Sequence, residues 1–138
     1  MPTRSTPRSA SRILLVESER EIVRVLCAVL ERQRYCVRSF RSSDAALHAF
    51  NTESFFDLLV TDRSPVGLPG LSLVAALRER GFTGPAIILV DSITPAESLE
   101  AERLGVERIL HKPFSTDSFL ASLLEVLPSS ENRSEKPK

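Results

Sequence analysis

The chain is poor in cysteine, histidine, lysine and long apolar runs, and each shortage narrows what it does. Its 138 residues include two cysteines, Cys27 and Cys36, with no Cys-x-x-Cys pair and no Cys/His cluster beside them. A disulfide framework and a thiolate metal site are therefore excluded, and two reduced, buried thiols in a cytoplasmic protein are expected. No apolar run approaches the ~18 residues of a membrane-spanning helix, so no membrane partner is expected. The formal net charge is zero, which gives no global attraction to nucleic acid. No glycine-rich loop follows the first apolar run. Glu17-Ser18-Glu19-Arg20 stands there instead, and its carboxylates would repel a nucleotide phosphate. Of the two histidines, His48 lies in a helical pattern and His111 alternates to the side opposite Lys112. Neither is set as a general base, and an enzyme is not expected.

What is present is enough for one packed domain: 42% of the residues are hydrophobic. Residues 1–11 are rich in Ser, Thr, Pro and Arg and lack an apolar stretch, so they read as a disordered tail and not as a secretory signal; Arg-bearing and acid-free, they have only a faint transit-peptide character. Residues 128–138 read as a polar tail, and 12–127 as the domain.

Within 12–127, strands alternate with helices. Strands are expected over 12–16, 35–40, 57–61, 85–90 and 106–110, the fourth being the most continuous apolar run, as a central parallel strand requires. Helices are expected over 19–33, 44–51, 71–80, 96–104 and 116–127. In the first, Ile22, Val25, Leu26, Val29 and Leu30 recur at helical spacing, and Ser18 with Glu21 forms a capping box. The second is capped near Ser43, and the last turns Leu120, Leu123, Leu124 and Leu127 inward. Five such units imply an α/β fold with a doubly wound five-stranded parallel sheet. Ligands of such sheets bind beyond the carboxyl ends of the strands.

Three strand ends carry chemistry. Asp62 directly follows Leu58-Leu59-Val60-Thr61. It reads as a loop carboxylate or helix cap, or as a nucleophile able to form an acyl phosphate with a divalent cation screening the charge; no helix starts close enough for capping. Lys112 ends the fifth strand in a chain that uses 15 arginines and three lysines, the other two being Lys136 and Lys138 in the tail. A compact ammonium suits one carboxylate or phosphoryl oxygen, against the plainer reading of a solvated surface lysine. Glu17-Ser18-Glu19 ends the first strand. It reads equally as an Mg²⁺ site or as the acidic start of a helix.

Val16-Glu17-Ser18-Glu19, Asp62 with Gly70 eight residues on, and Lys112-Pro113-Phe114, each after its own apolar strand, resemble the signature segments of CheY-like receiver domains of bacterial two-component response regulators. The resemblance covers about residues 12–127 and implies a flavodoxin-like sheet of order 2-1-3-4-5. It implies that Asp62 takes a phosphoryl group from a histidine kinase or phosphotransfer protein, that Lys112 pairs with Asp62 and then with the phosphate, and that Pro113 follows a cis peptide. It also implies that Mg²⁺ is held by Glu17, Asp62 and the backbone carbonyl of Ser64.

The sequence departs from the family at several of these places. Ser18 replaces the second acid, and a neutral hydroxyl is a poorer Mg²⁺ ligand, so metal binding is expected to be weak. At the switch positions, Val90 replaces a Thr or Ser and Ile109 replaces an aromatic. A hydrogen bond to a charged group contributes roughly 1.5–3 kcal/mol, which Val90 cannot supply. Ser92 would lie about 6–7 Å further along an extended chain. Asp91 places a carboxylate where the family has a small residue, and Pro65 comes three residues after Asp62 instead of four. Two readings follow: a phosphoacceptor receiver in a phosphorelay that signals through protein contacts, or a pseudo-receiver that binds partners independently of phosphorylation. A downstream protein partner, or a homodimer, is expected at the weakly apolar fourth helix. The chain would act alone or as one domain of a longer regulator.

Overall fold

The computed structural model describes residues 11–53 and 55–127. Five strands, β1 (Arg12–Val16), β2 (Cys36–Phe40), β3 (Leu58–Asp62), β4 (Ala86–Val90) and β5 (Val106–His111), alternate with five helices, α1 (Arg20–Arg32), α2 (Ser43–Thr52), α3 (Gly70–Glu79), α4 (Pro95–Arg103) and α5 (Thr116–Val126). The strands form one parallel sheet of order β2-β1-β3-β4-β5, as the sequence and the resemblance led us to expect.

Side chains alternate across the sheet, so each strand feeds two cores. Ile13, Leu15, Leu58, Val60, Ile87 and Leu89 face the layer of α1 and α5, where Leu26, Leu30, Phe119 and Leu123 meet them. Leu14, Val16, Leu59 and Ala86 face Ala46 of α2 and Leu73, Val74 and Leu77 of α3. β3 and β4 are buried along their whole length; β4 is accordingly an unbroken apolar run, and β3 is apolar up to Thr61 and Asp62 at its carboxyl end. The edge strands β2 and β5 are mostly exposed or half-buried.

Several local expectations change. Ser18 and Glu21 form no capping box: α1 starts after Glu19, and the Glu19 N–H is taken by the Glu17 carboxylate at 3.0 Å. With Glu19 as the N-cap, Ser18 lies one residue before the position a capping box requires. The cap of α2 is Ser42, whose hydroxyl accepts from Ala45 N–H at 3.2 Å; Ser43 is buried and donates to the Leu68 carbonyl at 2.6 Å. Leu124 stays exposed and Phe119 takes the inward place, because the contact surface of α5 is rotated from the stripe its leucines trace. Val25 is also exposed. Cys27 is half-buried and its thiol is pushed up by burial, whereas Cys36 is exposed on the edge strand, against the expectation of two buried thiols. Ser11, assigned to the N-terminal tail, is buried, and its carbonyl accepts Cys36 N–H at 2.9 Å. The rest of that tail and residues 128–138 lie outside the described residues.

Arg78 closes the lower rim, donating to the carbonyls of Phe82, Gly84, Leu104 and Gly105 and so tying α3 to two loops. At the opposite end, the loop after β3 is pinned twice. Ser43 N–H donates to the Val66 carbonyl, and Gly70 N–H returns to the Arg63 carbonyl at 2.7 Å. A Cβ at Gly70 would stand 2.3 Å from the Asp62 carbonyl oxygen, so the Asp-x7-Gly spacing is a packing requirement. Gly70→Ala should therefore destabilise the protein by about 1–3 kcal/mol, the range for forced overpacking, and shift the Asp62 backbone amide resonance. Denaturant melts and amide NMR check both, and an unchanged melt would show that this contact is not tight.

Candidate functional site

The carboxyl ends of β1, β3 and β5 bring Glu17, Asp62 and Lys112 together. β1 lies beside β3, and β4 separates β3 from β5, so the lysine must reach back across one strand. Its Nζ donates to Asp62 Oδ1 at 3.1 Å and lies 3.2 Å from Glu17 Oε1 and 3.5 Å from Glu17 Oε2. Glu19 Oε2 stands further off, at 3.9 Å. The Lys112–Pro113 peptide is cis, and Lys112 N–H donates to the Val90 carbonyl at 2.7 Å. Backbone pairing thus fixes where the lysine leaves the sheet.

Burial makes this ion triad electrostatically strong. Glu17 is 0% exposed and Asp62 9% exposed. Burial raises the Glu17 carboxyl above its ordinary value of 4.5, the Glu19 N–H and the Lys112 ammonium pull it down, and the Asp62 charge pushes it further up. Burial also disfavours the Lys112 ammonium. The hydrogen bond to Asp62 and the attraction of Glu17 and Asp62 outweigh this, so its pKa lies above the ordinary 10.5.

A divalent cation would need oxygen donors here. Glu17 Oε1 is buried and, among the described residues, has no hydrogen-bond partner; the ammonium is near it but not aligned to donate. That unspent acceptor beside Asp62 fits Mg²⁺ in kind. Ser18 is half-buried and Ser64 exposed, and neither adds a carboxylate. Among the described residues no group of three or more His, Cys, Asp or Glu side chains is arranged to hold a metal.

The positions around the triad lack the usual switching groups. Val90 is fully buried and presents no hydroxyl, and Ile109 is half-buried beside Ile88 of β4. Asp91 is exposed on the rim of a cleft of about 430 Å³, walled by Ile22, Val25, Leu26, Lys112 and Phe114. One charged residue was missed by sequence reasoning. Arg63, directly after Asp62, pairs with Glu97 of α4 at 2.7 Å and holds that carboxyl below its usual range. Nothing in the linear sequence pairs residues so far apart. His111 is exposed.

Comparisons with known proteins bear on the fold and the family. A family model described as the response regulator receiver domain matches residues 13–124. The chain is 29% identical to the alkaline phosphatase synthesis transcriptional regulatory protein SphR of Synechococcus elongatus, covering 96% of this chain and 54% of that protein. It is 31% identical to the transcriptional regulatory protein TctD of Salmonella typhimurium, covering 84% of this chain and 51% of that one. The chain thus spans about half the length of the curated relatives it matches. A CheY-like receiver domain protein from Methanospirillum hungatei shares the fold, with a TM-score of 0.81 at 22% identity over 93% of this chain and 100% of that one.

Lys112→Met leaves two buried carboxylates without their cation and should cost about 3 kcal/mol of stability near neutral pH. A raised Glu17 pKa favours the folded state below 4.5 and penalises it as pH rises through the folded-state value. Acidification should therefore shrink the gap between variant and wild type as the Glu17 carboxylate protonates. Urea melts at descending pH measure this, and a pH-independent gap would refute the electrostatic origin.

Proposed function

The chain belongs to the response regulator receiver domain family, and on that ground we propose that it is a phosphoacceptor of a two-component phosphorelay, phosphorylated on Asp62 and signalling through protein–protein contacts. The observation that carries this reading is the Lys112 ammonium held between Asp62 and the buried Glu17. The donor is a histidine kinase or a phosphotransfer protein. An Asp62 carboxylate oxygen bonds to the phosphorus of a phosphohistidine, and the P–N bond breaks with its electron pair returning to the imidazole nitrogen. Lys112 already touches Asp62 and neutralises charge on the transferring group; no proton is needed at the carboxylate. The cleft walled by Ile22, Val25, Leu26 and Phe114 beside Lys112 offers the donor an apolar seat next to the acceptor.

Mg²⁺, when bound, screens the phosphoryl oxygens, and Glu17, Asp62 and the Ser64 carbonyl are the groups to hold it. With Ser18 in place of a second acid, its binding is weak. The exposed Leu99 on α4 marks the face for a downstream partner or a second copy.

A second reading is favoured by the buried Val90 and by Ile109, which remove the usual route from the pocket to the partner face. In that case the fold is a phosphorylation-independent interaction module.

Acetyl phosphate with high Mg²⁺ separates the two. Intact-mass measurement should find one phosphoryl group on the wild type, appearing slowly and growing faster with Mg²⁺, and none on Asp62→Asn. No adduct at any Mg²⁺ level would leave the interaction-module reading standing.

A further inference from the structure

Arg63, the residue directly after Asp62, brings a second cation to this end of the sheet. One guanidinium nitrogen donates to Glu97 Oε2 at 2.7 Å, which joins the loop after β3 to the first turn of α4. Its Nε is buried and, among the described residues, has no hydrogen-bond partner. Asp91 and Asp62 both lie close enough to attract its charge. Glu97 also caps its own helix. Its Oε1 accepts Thr94 N–H at 2.9 Å while Thr94 Oγ1 accepts Glu97 N–H, the capping box of α4. The residue next to the phosphoacceptor is thus tied to the cap of the helix on the partner face.

We propose that the Arg63 guanidinium is a ligand of the phosphoryl group on Asp62, and that in taking it Arg63 releases Glu97 and loosens the first turn of α4. The inference rests on the phosphoacceptor reading above. A phosphorylated carboxylate brings extra negative charge and three acceptor oxygens to a pocket that already has a donor to spare. A planar guanidinium binds such a group through two parallel N–H bonds, whereas its present partner is one oxygen of a partly exposed carboxylate. A phosphoryl group therefore competes well for Arg63, and the buried Nε gains the acceptor it lacks. Val90 and Ile109 do not carry a hydroxyl or a ring to transmit the change. The Arg63–Glu97 pair provides a polar link from Asp62 to α4 that bypasses both.

Beryllofluoride with Mg²⁺ serves as the phosphoryl probe, with adduct formation read by fluorine NMR and α4 followed by amide hydrogen exchange over residues 94–101. In the wild type, the adduct should speed exchange of the first turn of α4 roughly two- to five-fold, the scale set by losing one exposed ion pair. Arg63→Gln and Glu97→Gln should show that faster exchange before the probe is added, with no further change after it. Beryllofluoride affinity should fall roughly tenfold in Arg63→Gln and be retained in Glu97→Gln, since a donor to a charged group is lost only in the first. Arg63→Lys, which keeps the charge and the fold, should hold α4 yet still bind the probe less tightly. If the adduct forms and α4 exchange does not respond, or if Arg63→Gln binds the probe as the wild type does, this role for Arg63 is overturned and the phosphoacceptor reading stands. If no adduct forms on the wild type, both are overturned.

Discussion

Two carboxylates packed against one another beneath a sheet edge repel, and the ammonium of Lys112 is what makes their burial tolerable. Glu17 has no exposed surface, and its carboxyl is displaced upward by burial and by Asp62. The lysine lies within 3.1–3.5 Å of both acids. Strand order sets this requirement. With β1, β3 and β5 ending at the same edge, the side chains that follow them converge, and charges of one sign would force the edge apart. The same convergence leaves the Asp62 carboxylate with its counter-charge in place.

The backbone around this triad is held from the other layer. α3 begins against the Asp62 carbonyl, at a distance only glycine permits, and the loop between them is tied to α2 through Ser43. Asp62 therefore sits at the end of a fully buried strand and at the start of a loop with little freedom. Lys112 pairs with Asp62, and Arg63, the next residue, pairs with Glu97 in the cap of α4. Valine and isoleucine stand at the positions where the family carries a hydroxyl and a ring, so the polar groups nearest Asp62 are Lys112 and the Arg63–Glu97 pair.

Particular residues show how far linear reasoning reached. The alternation of apolar runs and helical stripes located every strand and helix to within a few residues, because each element buries one face or both and its composition reports which. Asp62, Lys112 and Glu17 stood out because each ends an apolar run where polar side chains meet solvent or a ligand. Reading Ser18 as the α1 cap failed by one residue, since spacing does not encode where the chain turns from strand to helix, and the cap is Glu19. Cys36 was placed inside because an apolar pattern does not say whether a strand lies at the centre or the edge of its sheet. Leu124 gave way to Phe119 for a related reason: the helical stripe is visible, but its rotation against the sheet is not.

Periodicity and local composition are properties of neighbours along the chain. They were enough to establish the alternating αβ order, the parallel sheet and the short list of charged strand ends. The pairing of those charges was settled in three dimensions. The Lys112 contact with Glu17 and the Arg63 contact with Glu97 span 95 and 34 residues. Electrostatic energy depends on distance and burial in space, and neither is fixed until the strands have taken their order.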